Sequence, residues 1–246
     1  MMSKYSVRNG NNMPLQAPLI PDPFVPYKCP GNRSLNVYCR VEQAALDAYL
    51  APTPFKAAGD VILVYISDFT ACDKIPFMDA GLVVPVSYMG RTGGYFLFEY
   101  EDEDAAIAAG RDLWGYPKKF GTIDLLENES GVRGTVTRKN TTIISLECQF
   151  SDEVNFPKPA TTPHLNIHVQ PGPDGKVLSR RIIERDTSPD FKLTREHKGS
   201  ASAALRSLST DPLAEFEPIE ILGATYVVGD FYATEANGWG RTIGTC

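Results

Sequence analysis

The sequence has no long apolar segment and no excess of positive charge. No stretch approaches the roughly 18 consecutive apolar residues of a membrane-spanning helix, and the opening residues, MMSKYSVRNGNN, lack the apolar core of a secretion signal. The formal net charge is -6 at pH 7, with 24 Lys and Arg against 30 Asp and Glu. This composition predicts a cytoplasmic protein that binds neither membrane nor nucleic acid.

Cysteine is scarce and irregularly placed. The cysteines are odd in number, show no C-x-x-C spacing, and occur at five positions: Cys29, Cys39, Cys72, Cys148 and Cys246. A disulfide framework or a structural zinc site would need paired or closely spaced cysteines. We therefore expect free thiols in a reducing compartment.

Histidine is also rare, and no cofactor motif is present. Of three histidines, His164 and His168 alternate along the strand-like segment HLNIHVQ. In an extended strand they stand roughly 13 Å apart, too far to share one metal ion. The chain has neither a glycine-rich phosphate loop nor a nucleophile elbow. We predict no metal and no cofactor, and expect these histidines to line a pocket or to lie on the surface.

Proline is concentrated at the start of the chain. Residues 1–30 contain six prolines, a density that excludes regular structure. We predict an N-terminal arm over residues 1–30 and a single domain over residues 31–246. Two interpretations of the arm remain, an extended cover that closes a pocket or assembles an oligomer, and a partly disordered tail. With 43% hydrophobic residues, the chain is long enough to bury one sizeable core.

The hydrophobic pattern predicts many short strands and few helices. A short helix is expected over residues 41–50, where alanine and leucine recur before Pro52. Short turns between the strand-like segments favour antiparallel pairing over βαβ units. Strands are expected over residues 35–40, 60–66, 82–88, 95–100, 122–127, 131–138, 141–150, 164–170, 176–186 and 220–234. The predicted fold class is α+β, built on a curved antiparallel sheet with a few short helices.

The most informative stretch is residues 101–121, EDEDAAIAAGRDLWGYPKKFG. Four acids at residues 101–104 suit the start of a helix, and Pro117 ends that helix before Lys118 and Lys119. Adjacent ammonium groups disfavour each other's protonation, and burial disfavours both charges further. One neutral amine would then be the nucleophile that forms a Schiff base with a ketone. The alternative is a solvated surface pair.

Residues 110–121, GRDLWGYPKKFG, resemble the signature of the acetoacetate decarboxylase family, G-R-E-L-x-x-Y/F-P-K-K-x-G. Further segments match the family in the same order, at residues 26–28, 36–40, 81–88 and 94–95, so the similarity covers most of residues 26–243. The resemblance implies that Lys118 is the nucleophile and that Lys119 lowers its pKa. It also implies that the sheet closes into a cone-like β-barrel and that the protein is a homo-oligomer.

The same resemblance assigns further site residues. Asp79 stands where family decarboxylases carry a glutamate, and would hold the lysine, position the substrate or relay a proton. The basic residue expected to bind the substrate carboxylate falls in register with Asn32, and we take its neighbour Arg33 as the candidate. Three aromatic residues are assigned to substrate binding: Tyr100, Trp114 and Tyr116.

Other charged residues are assigned to the surface. Glu99 is expected on the solvent face of its strand, because strand neighbours alternate sides and Phe98 and Tyr100 flank it. The alternative is that Glu99 faces inward as a second carboxylate of the site. Three later arginines are expected along a solvated strand edge, with binding of an anionic substrate as the alternative: Arg180, Arg181 and Arg185.

Three functional hypotheses follow. The two catalytic ones take a small-molecule keto acid or ketone as the partner, and the third takes a small apolar ligand. In the first, a β-keto acid condenses with Lys118 and loses CO2. In the second, the same lysine serves an aldolase-dehydratase or a cyclase of specialised metabolism, which releases no CO2. In the third, the chain binds a small ligand without catalysis and forms no covalent adduct.

Overall fold

We analysed a computed structural model, which describes residues 10–151 and 154–246. In these residues the chain forms a 14-stranded sheet, two α-helices and two 3-10 helices. The elements are β1 Tyr27–Arg40, α1 Gln43–Leu50, β2 Lys56–Ala57, β3 Val61–Asp68, β4 Met78–Tyr88, β5 Arg91–Glu101, α2 Asp104–Trp114, β6 Lys118–Phe120, β7 Thr122–Asn128, β8 Gly131–Arg138, β9 Thr141–Phe150, β10 His164–Pro171, β11 Val177–Arg185, a 3-10 helix Ser188–Asp190, β12 Lys192–Leu205, a 3-10 helix Leu213–Phe216, β13 Glu220–Ala233 and β14 Arg241–Thr245. No helix among the described residues is long and apolar enough to cross a membrane.

The sheet is mostly antiparallel, as predicted. Its strands follow the order β14-β11-β10-β5-β4-β3-β1-β13-β12-β9-β8-β7, with β2 paired to β4 and β6 paired to β5. The β5–β6 and β5–β10 pairs are parallel. Among the strands that the structure describes, β14 and β7 do not pair with each other. The mostly-sheet architecture is confirmed, whereas closure into a β-barrel stays a prediction.

Apolar side chains cover both faces of the central strands. On one face, residues of β1 and β3 such as Leu35, Val37 and Ile62 belong to the larger core. On the other face, α2 packs against β5, β6 and β10, and it contributes to a second apolar cluster. A strand covered on both faces has no solvent face, which decides where the charged residues of β5 lie.

The described part of the N-terminal arm packs onto the body. Residues Ile20, Phe24 and Val25 are buried, and β1 begins at Tyr27, within the predicted arm. Residues 1–9 of the arm lie outside the described residues. The predicted division of the chain at residue 30 stays a prediction.

The prediction of five free thiols is wrong. Cys29 at the start of β1 and Cys72 in the loop after β3 form a disulfide across 43 residues of sequence. Sequence spacing could not reveal this pair, because the fold and not the chain brings the two segments together. The other cysteines are free, and burial raises the pKa of Cys39 to about 12 and that of Cys148 to about 11. The cysteines therefore do not indicate a reducing compartment.

Both predicted helices are present, with one change at the second. Helix α1 ends at Leu50, before Pro52, as expected. Helix α2 begins at Asp104, and the side chain of Glu103 caps it by accepting a hydrogen bond from the backbone N–H of Ala105. Glu101 is therefore the last residue of β5 and not part of the helix. This correction moves one of the four acids from a helix terminus into the interior.

Candidate active site

Lys118 reaches the interior through a sharp turn after α2. Gly115 ends the helix in the left-handed conformation at φ 71°, and a Cβ there would meet the backbone of His168. Strand β6 then pairs in parallel with β5, so that Lys118 lies opposite Glu99. Because strand neighbours alternate sides, Lys118 faces α2 and Lys119 faces away from it.

Helix α2 leaves space for the lysine at one position. A Cβ on Gly110 would overlap the Cδ and Cε atoms of Lys118, so the missing side chain lets the lysine extend beneath the helix. The next residue, Arg111, donates a hydrogen bond of 3.1 Å from Nη1 to the carbonyl oxygen of Lys118. Both contacts fix the direction in which the amine points.

Three carboxyl groups surround the amine. Asp79 on β4 lies directly opposite Glu101 on β5, and Glu99 lies two residues earlier on the same face of β5. Lys118 Nζ is 3.0 Å from Glu99 Oε1 and forms a closer ion pair with Glu101. Lys118, Asp79 and both glutamates are buried. The prediction that Glu99 faces solvent is wrong, because α2 covers that face of the strand.

Tyr65 on β3 completes the cluster. Its hydroxyl lies 3.1 Å from Asp79 Oδ1 and 3.3 Å from Glu99 Oε1, and it can donate to one of them at a time. In the described part of the chain, no group hydrogen bonds to the second oxygen of either glutamate, Glu99 Oε2 or Glu101 Oε2. These buried acceptors are available to a ligand.

The cluster shifts the pKa values of all its members upward. Burial raises the pKa of Glu99 to about 8, and it also raises the pKa values of Glu101 and Asp79. Burial alone would lower the pKa of Lys118, but the charges of the three carboxylates outweigh it and hold that pKa well above its usual value. The predicted neutral amine is therefore wrong for the chain without substrate, because the sequence did not reveal the surrounding acids.

Lys119 belongs to a different cluster on the opposite face of β6. Its Nζ lies 2.8 Å from Asp211 Oδ1 and 2.6 Å from the carbonyl oxygen of Thr210. Asp211 is fully buried, and it also accepts hydrogen bonds from Arg138 Nε at 3.1 Å and from the Tyr100 hydroxyl at 3.0 Å. The structure thus places Tyr100 and Lys119 together, and both of them away from Lys118.

The amine of Lys118 lines an aromatic cavity of about 100 Å³. Both predicted wall residues, Trp114 and Tyr116, line this cavity together with Asp79. Other aromatic rings come from the arm, from β1 and from the loop after β3: Phe24, Tyr27, Phe69 and Phe77. These aromatic walls keep the dielectric low around the amine and the carboxyl groups.

Arg33 does not reach this cavity. It pairs with Asp68, while the side-chain amide of the buried Asn32 donates to the carbonyl oxygen of Asp68 at 2.9 Å. The basic residue that does line the cavity is Arg185, the last residue of β11. Arg33 is therefore not placed to bind a substrate in this cavity, because its assignment followed proximity to a family position and not the face of the strand.

His164 lies beside the same arginine and does not carry charge near neutral pH. Its Nδ1 is 2.6 Å from the Tyr116 hydroxyl. Burial, together with the charge of Arg185, lowers the pKa of His164 to about 3. The predicted pocket role for this histidine agrees with its position, whereas His168 is held by the carbonyl oxygen of Asp112 at 2.9 Å.

The acid cluster is also the place where a cation would be sought. One oxygen each from Asp79, Glu99 and Glu101 lie within 4.8 Å of one another, an arrangement that suits a hard metal ion. The ammonium group of Lys118 already supplies positive charge at this position, 3.0 Å from Glu99 Oε1. The donor set therefore fits a lysine-centred site better than a metal centre.

Comparison with known proteins identifies the family of the chain. The acetoacetate decarboxylase (ADC) family model matches residues 12–238. The acetoacetate decarboxylase of Burkholderia vietnamiensis (strain G4 / LMG 22486) is 30% identical over 225 residues, which cover 89% of each chain. A solved acetoacetate decarboxylase structure superimposes with a TM-score of 0.85 at 21% identity, covering 99% of both chains. The chain belongs to the acetoacetate decarboxylase family of lyases.

A more distant solved structure shares the fold. It is the enduracididine biosynthesis enzyme MppR, in complex with the condensation product of pyruvate and imidazole 4-carboxaldehyde. MppR superimposes with a TM-score of 0.75 at 15% identity, covering 98% of both chains. At this identity the likeness shows a common fold, within which the bond chemistry can differ.

Proposed function

We infer that the protein is a Schiff-base-forming lyase that decarboxylates a β-keto acid at Lys118. The observation that carries this proposal is a buried lysine amine in contact with two glutamates, at the wall of an aromatic cavity. Membership of the acetoacetate decarboxylase family supports the same chemistry. The ketone carbon of the substrate is the electrophile, and Lys118 Nζ is the nucleophile.

The acids provide the proton transfers that imine formation needs. Lys118 first gives a proton to Glu101, and the neutral amine attacks the ketone carbon. A protonated carboxyl group then gives its proton to the carbinolamine hydroxyl, water leaves, and the nitrogen lone pair forms the iminium that stays bound to Lys118. Carboxyl groups with a raised pKa, such as Glu99 at about 8, can donate and accept protons near neutral pH.

The carbon–carbon bond breaks in the next step. The iminium accepts the electron pair of the bond to the carboxylate, so CO2 leaves and an enamine remains. Protonation of the enamine carbon and hydrolysis release the ketone and restore Lys118. The balance is one β-keto acid anion and one proton to one ketone and CO2.

We propose supporting roles for three further residues. Asp79 shares the Tyr65 hydroxyl with Glu99 and thereby holds a proton close to the amine. Trp114 and Tyr116 form the apolar wall that excludes water from the iminium.

An aldolase-dehydratase is the second candidate function. Glu99 Oε2 and Glu101 Oε2 have no hydrogen-bond partner in the described part of the chain. When protonated, these carboxyl groups can transfer a proton to a departing hydroxyl group, as a dehydration requires. MppR, which shares the fold, was solved with a condensation product of pyruvate and an aldehyde. In this case the enamine on Lys118 attacks an aldehyde, water leaves, and no CO2 is released. A non-catalytic binder would not need the proton-transfer groups around Lys118.

Release of CO2 distinguishes the two catalytic functions. The purified protein and Lys118→Met are incubated with a panel of β-keto acids, and with pyruvate plus aromatic aldehydes, while CO2 and condensed products are measured. CO2 from wild type alone supports the decarboxylase; condensed product without CO2 supports the aldolase-dehydratase. Equal rates for wild type and Lys118→Met in every reaction would contradict both. Homo-oligomer formation, cytoplasmic location and a role in specialised metabolism stay predictions.

A further inference from the structure

Arg185 carries a buried positive charge without an acidic partner. The residue is 7% exposed and lines the cavity. Within residues 10–151 and 154–246, no carboxylate lies within 4.0 Å of its guanidinium, although twelve other ion pairs occur there. An unpaired buried charge is costly to the fold, so such a group is usually kept for a ligand.

The protein holds this guanidinium rigidly with neutral groups. Nε donates to the carbonyl oxygen of Gly238 and Nη2 to the Tyr27 hydroxyl, each at 2.8 Å. Its Cζ atom also lies 3.9 Å from the centre of the Trp114 ring, and the Tyr116 side chain interacts with it. A guanidinium has five N–H donors, and the two hydrogen bonds to Gly238 and Tyr27 leave three for other partners. The guanidinium is therefore preorganised to bind an anion.

Tyr116 separates this subsite from the reactive amine. Lys118 Nζ lies 5.3 Å from the centre of the Tyr116 ring, whereas Arg185 lies at the hydroxyl end of the same ring. An anion on Arg185 is therefore separated from the amine of Lys118 by the Tyr116 side chain, whose ring centre alone lies 5.3 Å from Nζ. The carboxylate of a β-keto acid is separated from its ketone carbon by a single methylene group and does not span that distance.

We propose that Arg185 binds a second anionic group of the substrate, one that the product retains, and that the substrates are keto acids with a distal carboxylate. This inference rests on the proposed Schiff-base function of Lys118 and specifies its substrate class. The leaving carboxylate stays near Asp79, Glu99 and Glu101, while the distal one anchors the chain at Arg185. The reaction forms and breaks no bond at the distal group, so its balance is that of the decarboxylation given above.

A series of substrates tests the proposal on the unmodified protein. 3-Oxohexanedioate, 3-oxoheptanedioate and 3-oxooctanedioate are compared with the monocarboxylic 3-oxo acids of the same chain length. We expect kcat/KM to be roughly 10- to 100-fold higher for the best dicarboxylic acid than for its monocarboxylic match, as one charge-assisted contact allows. Equal values at all three lengths would overturn the proposal.

The variant Arg185→Met then assigns the preference to this residue. It should remove most of the dicarboxylic preference, mainly through KM, whereas Arg180→Met, an exposed arginine of the same strand, should keep it. A preference that survives Arg185→Met overturns the proposal. If Arg185→Met does not fold, a protection experiment on the wild-type protein replaces it. Heptanedioate should protect Lys118 from borohydride trapping more strongly than heptanoate, and equal protection would overturn the proposal.

The two proposals fail in different ways. Trapping of Lys118 by borohydride with monocarboxylic substrates depends on the amine and not on Arg185. An adduct without any dicarboxylic preference leaves the Schiff-base function standing and removes the Arg185 subsite. No adduct with any substrate removes both.

Discussion

Lys118 and Lys119 are adjacent in the chain, yet their amines lie on opposite faces of β6. Lys118 Nζ contacts Glu99 at 3.0 Å, and Lys119 Nζ contacts Asp211 at 2.8 Å. Two ammonium groups separated by a strand, each paired with carboxylates, perturb each other far less than adjacent numbering suggests. The second lysine therefore holds β6 in place and does not tune the first by direct repulsion.

Replacement of Lys119 should affect stability and leave the titration of Lys118 unchanged. Lys119→Met leaves the buried Asp211 with one cation fewer, so we expect a loss of roughly 1–3 kcal/mol in the free energy of unfolding. The pH dependence of Schiff-base trapping at Lys118 should stay at the wild-type position. Arg138→Met, which removes the other cation of Asp211, is the matched control. A displaced trapping profile in Lys119→Met alone would contradict this assignment.

Gly110 should be essential for activity although it sits in a helix. Alanine favours an α-helix by about 1 kcal/mol over glycine, so Gly110→Ala should improve the local helix preference. The added Cβ overlaps the Lys118 side chain and should move its amine away from the glutamates. We expect kcat to fall at least tenfold, about the effect of a misplaced catalytic group. Ala108→Gly, with the reverse change in helix preference, should retain activity; similar losses in both variants would refute the steric explanation.

The acid cluster should give the protein a measurable pH dependence of stability. Burial raises the pKa of Glu99 from 4.5 in the unfolded chain to about 8 in the fold. The folded protein therefore retains a proton that the unfolded chain releases, and stability should fall as pH rises from about 4.5 to about 8. His164, with a pKa lowered from 6.5 to about 3, acts in the opposite direction below pH 6.5.

The variant Glu99→Gln isolates this contribution, because glutamine does not titrate and His164 is unchanged. The unfolding free energies of wild type and variant are measured by urea denaturation. As pH rises from about 4.5 to about 8, wild type should lose stability relative to the variant. A difference that is constant from pH 5 to pH 8 would show that Glu99 is ionised throughout.

The disulfide should contribute to both stability and the shape of the cavity. Removal of the 43-residue cross-link in Cys29→Ser/Cys72→Ser should cost roughly 2–4 kcal/mol. The bond joins the segment of Tyr27 to the loop between Phe69 and Phe77, all of which line the cavity. Substrate KM should therefore rise more than kcat falls. The control variant Cys246→Ser, which removes an exposed free thiol, should resemble wild type. An unchanged KM in the double variant would contradict the link between the disulfide and the cavity.

Local sequence patterns predicted the helices and most strands, and together with the family resemblance they selected Lys118 as the candidate nucleophile. Lys118 follows a Pro-containing turn that has a recognisable form, and α1 is marked by its composition and by Pro52. Glu99 and Glu101 were missed because their burial depends on α2 covering β5, which alternation along one strand does not report. The E-x-E spacing on β5 was the available signal, since it places both acids on one face.

Arg185 could not be selected from its neighbours on the chain. Three arginines occur close together on β11, and only the contacts with Tyr27, Trp114 and Gly238 distinguish this one. Those residues come from the arm, from α2 and from the segment before β14, so the subsite exists only in the folded chain. The Cys29–Cys72 disulfide was missed for the same reason.

Borohydride trapping with peptide mapping tests directly whether Lys118 forms a Schiff base with the substrate. Wild type, Lys118→Met and Lys119→Met are incubated with a β-keto acid, reduced with borohydride and analysed by intact mass. We expect one reduced adduct on Lys118 in wild type and in Lys119→Met, and none in Lys118→Met. An adduct that maps to Lys119, or no adduct in wild type with any ketone tested, would rule out Lys118 as the Schiff-base nucleophile.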